Sequence, residues 1–347
     1  MERRGLILLL VLCLIFCGCS QGEGTQQESV QNDEAAKDAA ADAANLLTVG
    51  DHSLPFKVAR LFVLSQKHQY ETAFGSSIWQ VNYQDSTFEE TLKDGFRTHI
   101  ALMFTASCLA ADQEVNLSAE EEKTLREAAH SCYDSMKGED RELLEITEPD
   151  VEEALRMYVL AKKVYRQITG SVELDLSEDE TRVIRLQEIR ISTEGLEGIE
   201  KDQKLTLAAE ALNLLEAGED FNTVAEKYSE TGTAIYSASR DTLTGAETKA
   251  AFALATDENS PVITLPGAYV IFHCVDSYDK DASELHRMEL LQQMEDTGFK
   301  EKLNIYLSRN ALTWNETNWA AIDFSGYKGP ADVNLYSVYD QYFGEDK

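Results

Sequence analysis

Ala209-Glu-Ala-Leu-Asn-Leu-Leu-Glu-Ala-Gly-Glu-Asp-Phe221-Asn-Thr-Val-Ala-Glu-Lys-Tyr228-Ser229 decides how the rest of the chain is read. A helix from about Gln203 to Ala217 is stopped by Gly218, and a shorter helix spans roughly Phe221 to Tyr228. Upstream, the pattern changes at Thr181: Arg182 to Ile191 alternates, with enough β-branched residues to read as a strand. Downstream come an irregular segment and a short helix around Glu247 to Leu254. Pro266-Gly267 then precedes Ala268 to Val275, an apolar run of Val, Ile, Phe and Tyr that reads as a second strand. This β-α-α-α-β order makes a small α+β domain.

Outward from that domain the period is helical on both sides. Order begins near Leu46, and helices dominate to about residue 170. Ser53 with Pro55 reads as an N-cap and first-turn proline, opening a helix through Val58, Leu61, Phe62 and Leu64. Ser86 to Glu89 has capping-box form, ahead of Phe88, Leu92, Phe96, Ile100, Met103 and Leu109. Ser118 to Glu121 is a further box, before a helix ending near Gly138. Thr147 to Asp150, with Pro149, opens a fourth helix whose stripe is Val151, Leu155, Tyr158, Val164, Tyr165 and Ile168. These stripes read as core rather than ligand contacts. Helical spacing resumes from Ala282 to Asn310, and Thr313-Trp314 to Phe324 closes the ordered part. Residues 325–347 hold Tyr327, Tyr336, Tyr339, Tyr342 and Phe343 among acids and glycine; they read as a flexible tail, with docking through the aromatics as the alternative.

At the other end, Arg3 and Arg4 precede an apolar run, Leu6 to Phe16, and Phe16-Cys17-Gly18-Cys19 closes it. This resembles a bacterial lipoprotein signal peptide with its lipobox, which implies a diacylglycerol thioether on Cys19 and cleavage before it. Each buried methylene contributes about 0.8 kcal/mol, so two acyl chains anchor a folded domain durably. The other readings are a transmembrane helix or a secreted chain with a free N-terminus. Residues 20–45 are Gln, Glu, Gly, Asp, Ser and Ala with little apolar bulk, an acidic tether. An extracytoplasmic chain lipid-anchored to the membrane follows. A Gram-positive cell membrane is preferred, although Ser20 also suits an outer-membrane lipoprotein.

Length and charge bound what the chain does. The 347 residues suggest two domains, and no later stretch is long and apolar enough to span a bilayer. The net charge of −31 repels nucleic acid and anionic headgroups and suits cationic or unfolded polypeptides; plain solubility is the simpler reading of it. Cys108, Cys132 and Cys274 remain after the N-terminal three, without metal-like spacing. Buried thiols are expected, with a Cys108–Cys132 disulfide as the alternative. His52, His68, His99, His130, His273 and His286 lack any zinc or nucleophile-base spacing, so no metal and no cofactor are implied.

The order of helical part, α+β domain and final helix resembles the parvulin-type foldases of the PrsA/SurA class. The stretch 209–229 looks like the parvulin run of helix, Gly, acidic-Phe and "lA.kyS". Ala250-Ala-Phe252-Ala-Leu254, Ser260-Pro-Val and Gly267-Ala-Tyr-Val-Ile271 resemble that family's closing strand region. The resemblance implies an α+β fold: a mainly helical SurA-N-like chaperone module with an inserted parvulin-like (FKBP-like) domain. The implied boundaries are signal peptide 1–18, tether 19–45, helical part 46–177, parvulin-like domain 178–280, C-terminal helix 281–324 and tail 325–347.

Family chemistry lowers an X-Pro rotation barrier of about 18–20 kcal/mol. It uses two histidines on adjacent strands, an Asp or Cys after the second helix, and a Met/Phe proline pocket. Carried over by position, these fall at Glu188, Tyr269 and, for the Asp/Cys position, Glu230 or Thr231. The pocket Met and Phe fall at Leu243 and Glu247, and Phe252 stays as the core aromatic. The family's Gly-Gly-Asp-Leu-Gly loop shortens to Gly232-Thr-Ala-Ile-Tyr236. A glutamate opposes binding of an apolar ring, so weak or absent isomerase activity is expected. Glu188 with Tyr269 is a candidate polar pair across neighbouring strands. The resemblance therefore implies a folding factor whose partners are unfolded or newly secreted polypeptides. An active peptidyl-prolyl isomerase and a surface ligand-binding lipoprotein are the rivals.

Overall fold

The structure, a computed structural model, describes residues 44–83, 86–171, 175–326 and 333–344. The signal peptide, Cys19 and nearly all of the tether lie outside them. The fold is α+β. The described chain forms two compact units: one runs up to Ser171 and resumes at Thr297, and the other is Val172–Asp296.

In the first unit, strands Asn45–Val49 and His52–Pro55 form a hairpin, and Leu312–Trp314 pairs on the other edge of Asn45–Val49, all antiparallel. Gly50 turns the hairpin at φ +56°, and a Cβ there would stand 2.9 Å from Asn310 Oδ1. Ser53 pairs with Thr48 in this hairpin, so it caps no helix; the first long helix, Phe56–Phe74, starts after Pro55. Helices Phe88–Asp112, Ala119–Ser135 and Glu148–Thr169 follow, each opened by a capping box: Thr87 with Glu90, Ser118 with Glu121, and Thr147 with Asp150. The first of these boxes sits one residue beyond the expected Ser86, which is held in a two-residue strand opposite Tyr83. A seven-residue helix, Gly138–Leu144, has no counterpart in the sequence reading.

The core of this unit joins both ends of the chain: Leu46, Phe62, Phe96, Ile100, Leu125, Leu155 and Val164 cluster with Leu303, Trp319, Phe324 and Tyr336. Phe324 is fully buried, stacked on Trp79 at 5.7 Å and edge-on to Phe96 at 5.5 Å. Polar groups fix its backbone: Lys67 Nζ donates to Phe324 O (2.7 Å), and Glu89 accepts from the Phe324 and Ser325 amides. Residues 325–347 are not simply a flexible tail. Leu335–Phe343 is a helix, held because Leu335, Tyr336 and Tyr339 bury themselves against the unit.

The second unit carries a four-stranded antiparallel sheet in the order Tyr236–Ala238, Ile184–Ser192, Ala268–Asp276, Ile263–Leu265. Alternation along the two long strands splits their side chains between two cores. Ile189, Ile191, Tyr269 and Ile271 face helices Gly198–Glu216 and Phe221–Tyr228 through Ala208, Ala211, Leu215, Phe221 and Val224. Leu186, Val270, Phe272 and Cys274 face the opposite way, against Phe252, Leu254 and the short helix Gly245–Ala251. The three-residue edge strands escape a pattern-based reading. The three described cysteines are free and buried, so the alternative Cys108–Cys132 disulfide does not form. Burial pushes the Cys108 thiol up to about 12 and the Cys132 thiol to about 11.

Candidate functional site

The sheet face away from the two longer helices carries a compact ion-paired cluster. Glu188 lies opposite Phe272 in the ladder, and Arg190 follows two residues later on the same face. Arg190 Nε donates to Glu188 Oε1 at 2.8 Å, and its Nη2 reaches Glu188 Oε2 at 3.3 Å and Glu247 Oε1 at 3.2 Å. Tyr236, on the edge strand beside Leu186, donates its hydroxyl to Glu188 Oε2 at 3.1 Å. Glu247 is also the capping residue of its helix, accepting from Thr244 N and Oγ1. Leu243 and Phe252 pack into the adjoining apolar core, and Arg182 and Arg240 stand over the Phe252 ring at 5.0 and 4.5 Å.

Hydrogen bonds favour the charged forms of Glu247 and Arg190. Burial alone would raise the Glu247 carboxyl, but the hydrogen bonds from Thr244 and Arg190 outweigh it and leave its pKa lowered. Hydrogen bonding to Glu188, foremost, and to Glu247 raises the already high Arg190 pKa. Burial and then the Glu188 charge lift the Tyr236 phenol, so it stays a donor. The Glu188 and Glu247 side chains are only 15% and 9% exposed, so the guanidinium is anchored by two largely dehydrated carboxylates. This face therefore presents two carboxylates and a guanidinium next to the apolar core of Leu243 and Phe252.

The structure gathers some of the expected site residues and separates others. Glu188, Leu243, Glu247 and Phe252 share this face. Tyr269 does not: it pairs with Ile191, three places along from the Glu188–Phe272 pair, and is buried in the helix-covered core. The expected Glu188–Tyr269 pair is therefore corrected to Glu188–Arg190–Tyr236. Glu230 lies off the cluster, where Lys204 Nζ donates to Oε1 at 2.5 Å and the Ser192 amide donates to Oε2 at 3.0 Å. The Lys204 bond is the leading reason its carboxyl is lowered. Arg190 and Tyr236 were not singled out by sequence. The signal for Arg190 was its two-residue spacing from Glu188 in an alternating strand, which puts both on one face.

On the helix-covered face, Gln187 Nε2 donates to Asn222 Oδ1 and Thr233 O, each at 2.8 Å. His273 is a packing histidine: Nδ1 meets Asn259 Oδ1 at 2.9 Å, the ring stacks on Phe221 at 5.0 Å, and burial lowers its pKa. Among the described residues no group of three or more His, Cys, Asp and Glu is placed to hold a metal. No helix among them is long and apolar enough to cross a membrane.

No protein-family model and no curated protein matches the chain. Solved structures similar to it include the peptidylprolyl isomerase PrsA of Bacillus cereus, at 17% identity and a TM-score of 0.38, covering 76% of this chain and 97% of that one. The foldase protein PrsA of Streptococcus pneumoniae is similar at 18% identity and a TM-score of 0.29, over 76% of this chain and 98% of its own. A structure from work on PEB4 and Cj1289, SurA-like chaperones of Campylobacter jejuni, is similar at 7% identity and a TM-score of 0.25, over 78% and 99%.

Proposed function

We propose that this chain is an extracytoplasmic folding factor, lipid-anchored through Cys19, that holds non-native secreted polypeptides and has little or no prolyl isomerase activity. The observation that carries the reading is the sheet face of Glu188, Arg190, Tyr236 and Glu247. At Glu188 and Glu247, where the family resemblance implies one of the histidines and the pocket Phe, this chain has a closed ion-pair network. Opening it would strip one or two carboxylates of their partner before any ring was bound, at a cost of about 1–3 kcal/mol with the guanidinium part-exposed. The folding-factor part rests on the resemblance of 209–229 and 250–271 and on a helical core built from both ends of the chain. Exposed Ile199, Leu285 and Met288, 77%, 63% and 58% accessible, offer apolar contact beside a strongly acidic surface. Basic unfolded segments are the partners this surface attracts, from the outer face of a Gram-positive membrane.

The test is cis-to-trans isomerisation of a short X-Pro peptide by the chain from Gln21 onward, run beside aggregation suppression of a basic unfolded client without ATP. Suppression that weakens with salt, with no peptide acceleration, supports the reading. Acceleration lost in Glu188→Ala would establish the isomerase alternative. Absence of both activities would leave the surface ligand-binding lipoprotein. Palmitate labelling that Cys19→Ala fails to abolish would overturn the anchor.

A further inference from the structure

Helix Leu335–Phe343 lies in a groove of the first unit, against helices Phe56–Phe74, Ala119–Ser135 and Glu148–Thr169. Leu335, Tyr336 and Tyr339 point inward and are buried, while Ser337, Asp340 and Gln341 face solvent. The groove is aromatic: Tyr336 meets Tyr158 edge-on at 5.3 Å and Phe62 at 6.3 Å, and Tyr339 meets Tyr158 at 4.9 Å. Polar pins fix the register. The Leu335 amide donates to Ser65 Oγ at 2.9 Å, and Arg166 Nη2 donates to the Tyr339 hydroxyl at 3.2 Å. Asn334 caps the helix by accepting from the Ser337 amide.

Nine residues are too few to be helical alone in water, where about 12–15 are marginal, so the groove itself imposes the helix. The segment ahead of it is fixed independently, by Phe324 with Lys67 and Glu89. A short amphipathic helix laid on an apolar floor, with a few hydrogen bonds setting its register, is the geometry by which proteins bind helical peptides. We infer that this groove is a peptide-binding site for a short amphipathic helix with aromatic side chains three residues apart, and that Leu335–Phe343 occupies it as an internal ligand. The fitting partner carries an aliphatic residue beside the first aromatic, a hydroxylated aromatic to meet Arg166, and a polar outer face. The inference is independent of the folding-factor reading, because it rests on the contacts of Leu335–Phe343 and on neither client holding nor isomerase activity. While the internal helix is docked, apparent affinity falls by the fraction of molecules whose groove is open.

Native-state hydrogen exchange on the chain from Gln21 onward, with anisotropy of a fluorescent peptide of residues 333–344, tests this. The amides of 338–343 are expected to exchange about 100-fold faster than those at the centre of Glu148–Thr169, through opening of that helix alone. The labelled peptide is expected to bind Tyr336→Ala/Tyr339→Ala about tenfold more tightly than the parent, since the variant's own helix no longer competes. A peptide with serine at both tyrosines should not bind. Exchange of the two helices at one common rate overturns the inference, as does equal peptide affinity for parent and variant, or a double variant without a cooperative unfolding transition.

Discussion

Arg190 is the residue on which the candidate site depends, because two largely buried carboxylates share its guanidinium. Arg190→Ala leaves Glu188 and Glu247 uncompensated. With the guanidinium still part-exposed, the expected loss is about 1–3 kcal/mol, below that of a fully buried pair, read from urea unfolding. Lowering the pH should rescue part of it, since the stranded Glu247 loses the hydrogen bond that helped hold its carboxyl low and is more readily neutralised. A variant as stable as the parent at pH 7 would mean that the network carries no stability. His99 sets a second residue-scale prediction. Burial, then the nearby Lys162 charge, lowers its pKa from 6.5 to about 4, so the native state holds it neutral. Between those values the unfolded chain binds the extra proton. Stability is thus intact above pH 6.5 and falls as pH drops toward 4, by at most about 3.5 kcal/mol at about 1.4 per unit. His99→Gln should flatten that slope in thermal unfolding followed from pH 7 to 4; an unchanged slope would exclude this histidine. Glu188, Leu243, Glu247 and Phe252, the positions the sequence resemblance pointed to, do lie on one face. The resemblance misplaced Tyr269, since one place along a strand exchanges its faces.

Elements were legible in proportion to how much of their stabilisation is local. Ser118–Glu121 and Thr147–Asp150 announce their helices because the capping partners lie three residues apart. The strand Leu312–Trp314 was not visible, because three residues hold no periodicity and their partner, Asn45–Val49, lies at the other end of the sequence. The docked helix Leu335–Phe343 was open to two readings for the same reason: tyrosines among acids suit solvent as well as an aromatic groove. The Phe324 segment is the element whose loss should cost most. Phe324→Ala removes a fully buried ring from contact with Trp79 and Phe96, an expected loss of about 3–5 kcal/mol. Lys67→Met strips a partner from both Glu71 and Phe324 O, at about 2–4 kcal/mol. Since both substitutions loosen one junction, the double variant should lose less than the sum, as a double-mutant cycle by denaturant unfolding would measure. Strict additivity would show that the lysine does not hold this segment.

At the scale of the whole molecule the described residues form separate cores, one in the first unit and a two-faced sheet in the second, with no described buried residue common to them. Among the described residues, the helix Lys280–Leu307 contains one of the two unit boundaries, between Asp296 and Thr297. Cooperativity follows shared burial, so unfolding of the chain from Gln21 onward should not be a single two-state transition. Calorimetry is expected to resolve two events. Phe324→Ala should lower the temperature of one, and Val270→Ala, at the centre of the sheet, should lower the other by the several degrees that a core truncation of about 2–3 kcal/mol produces. The acid dependence of His99 should appear only in the event that Phe324→Ala moves, and that of the Arg190 network only in its companion. If either substitution shifted both events equally, the shared helix would be transmitting stability along its length. The sheet domain would then be an integral part of the helical unit rather than an insertion into it.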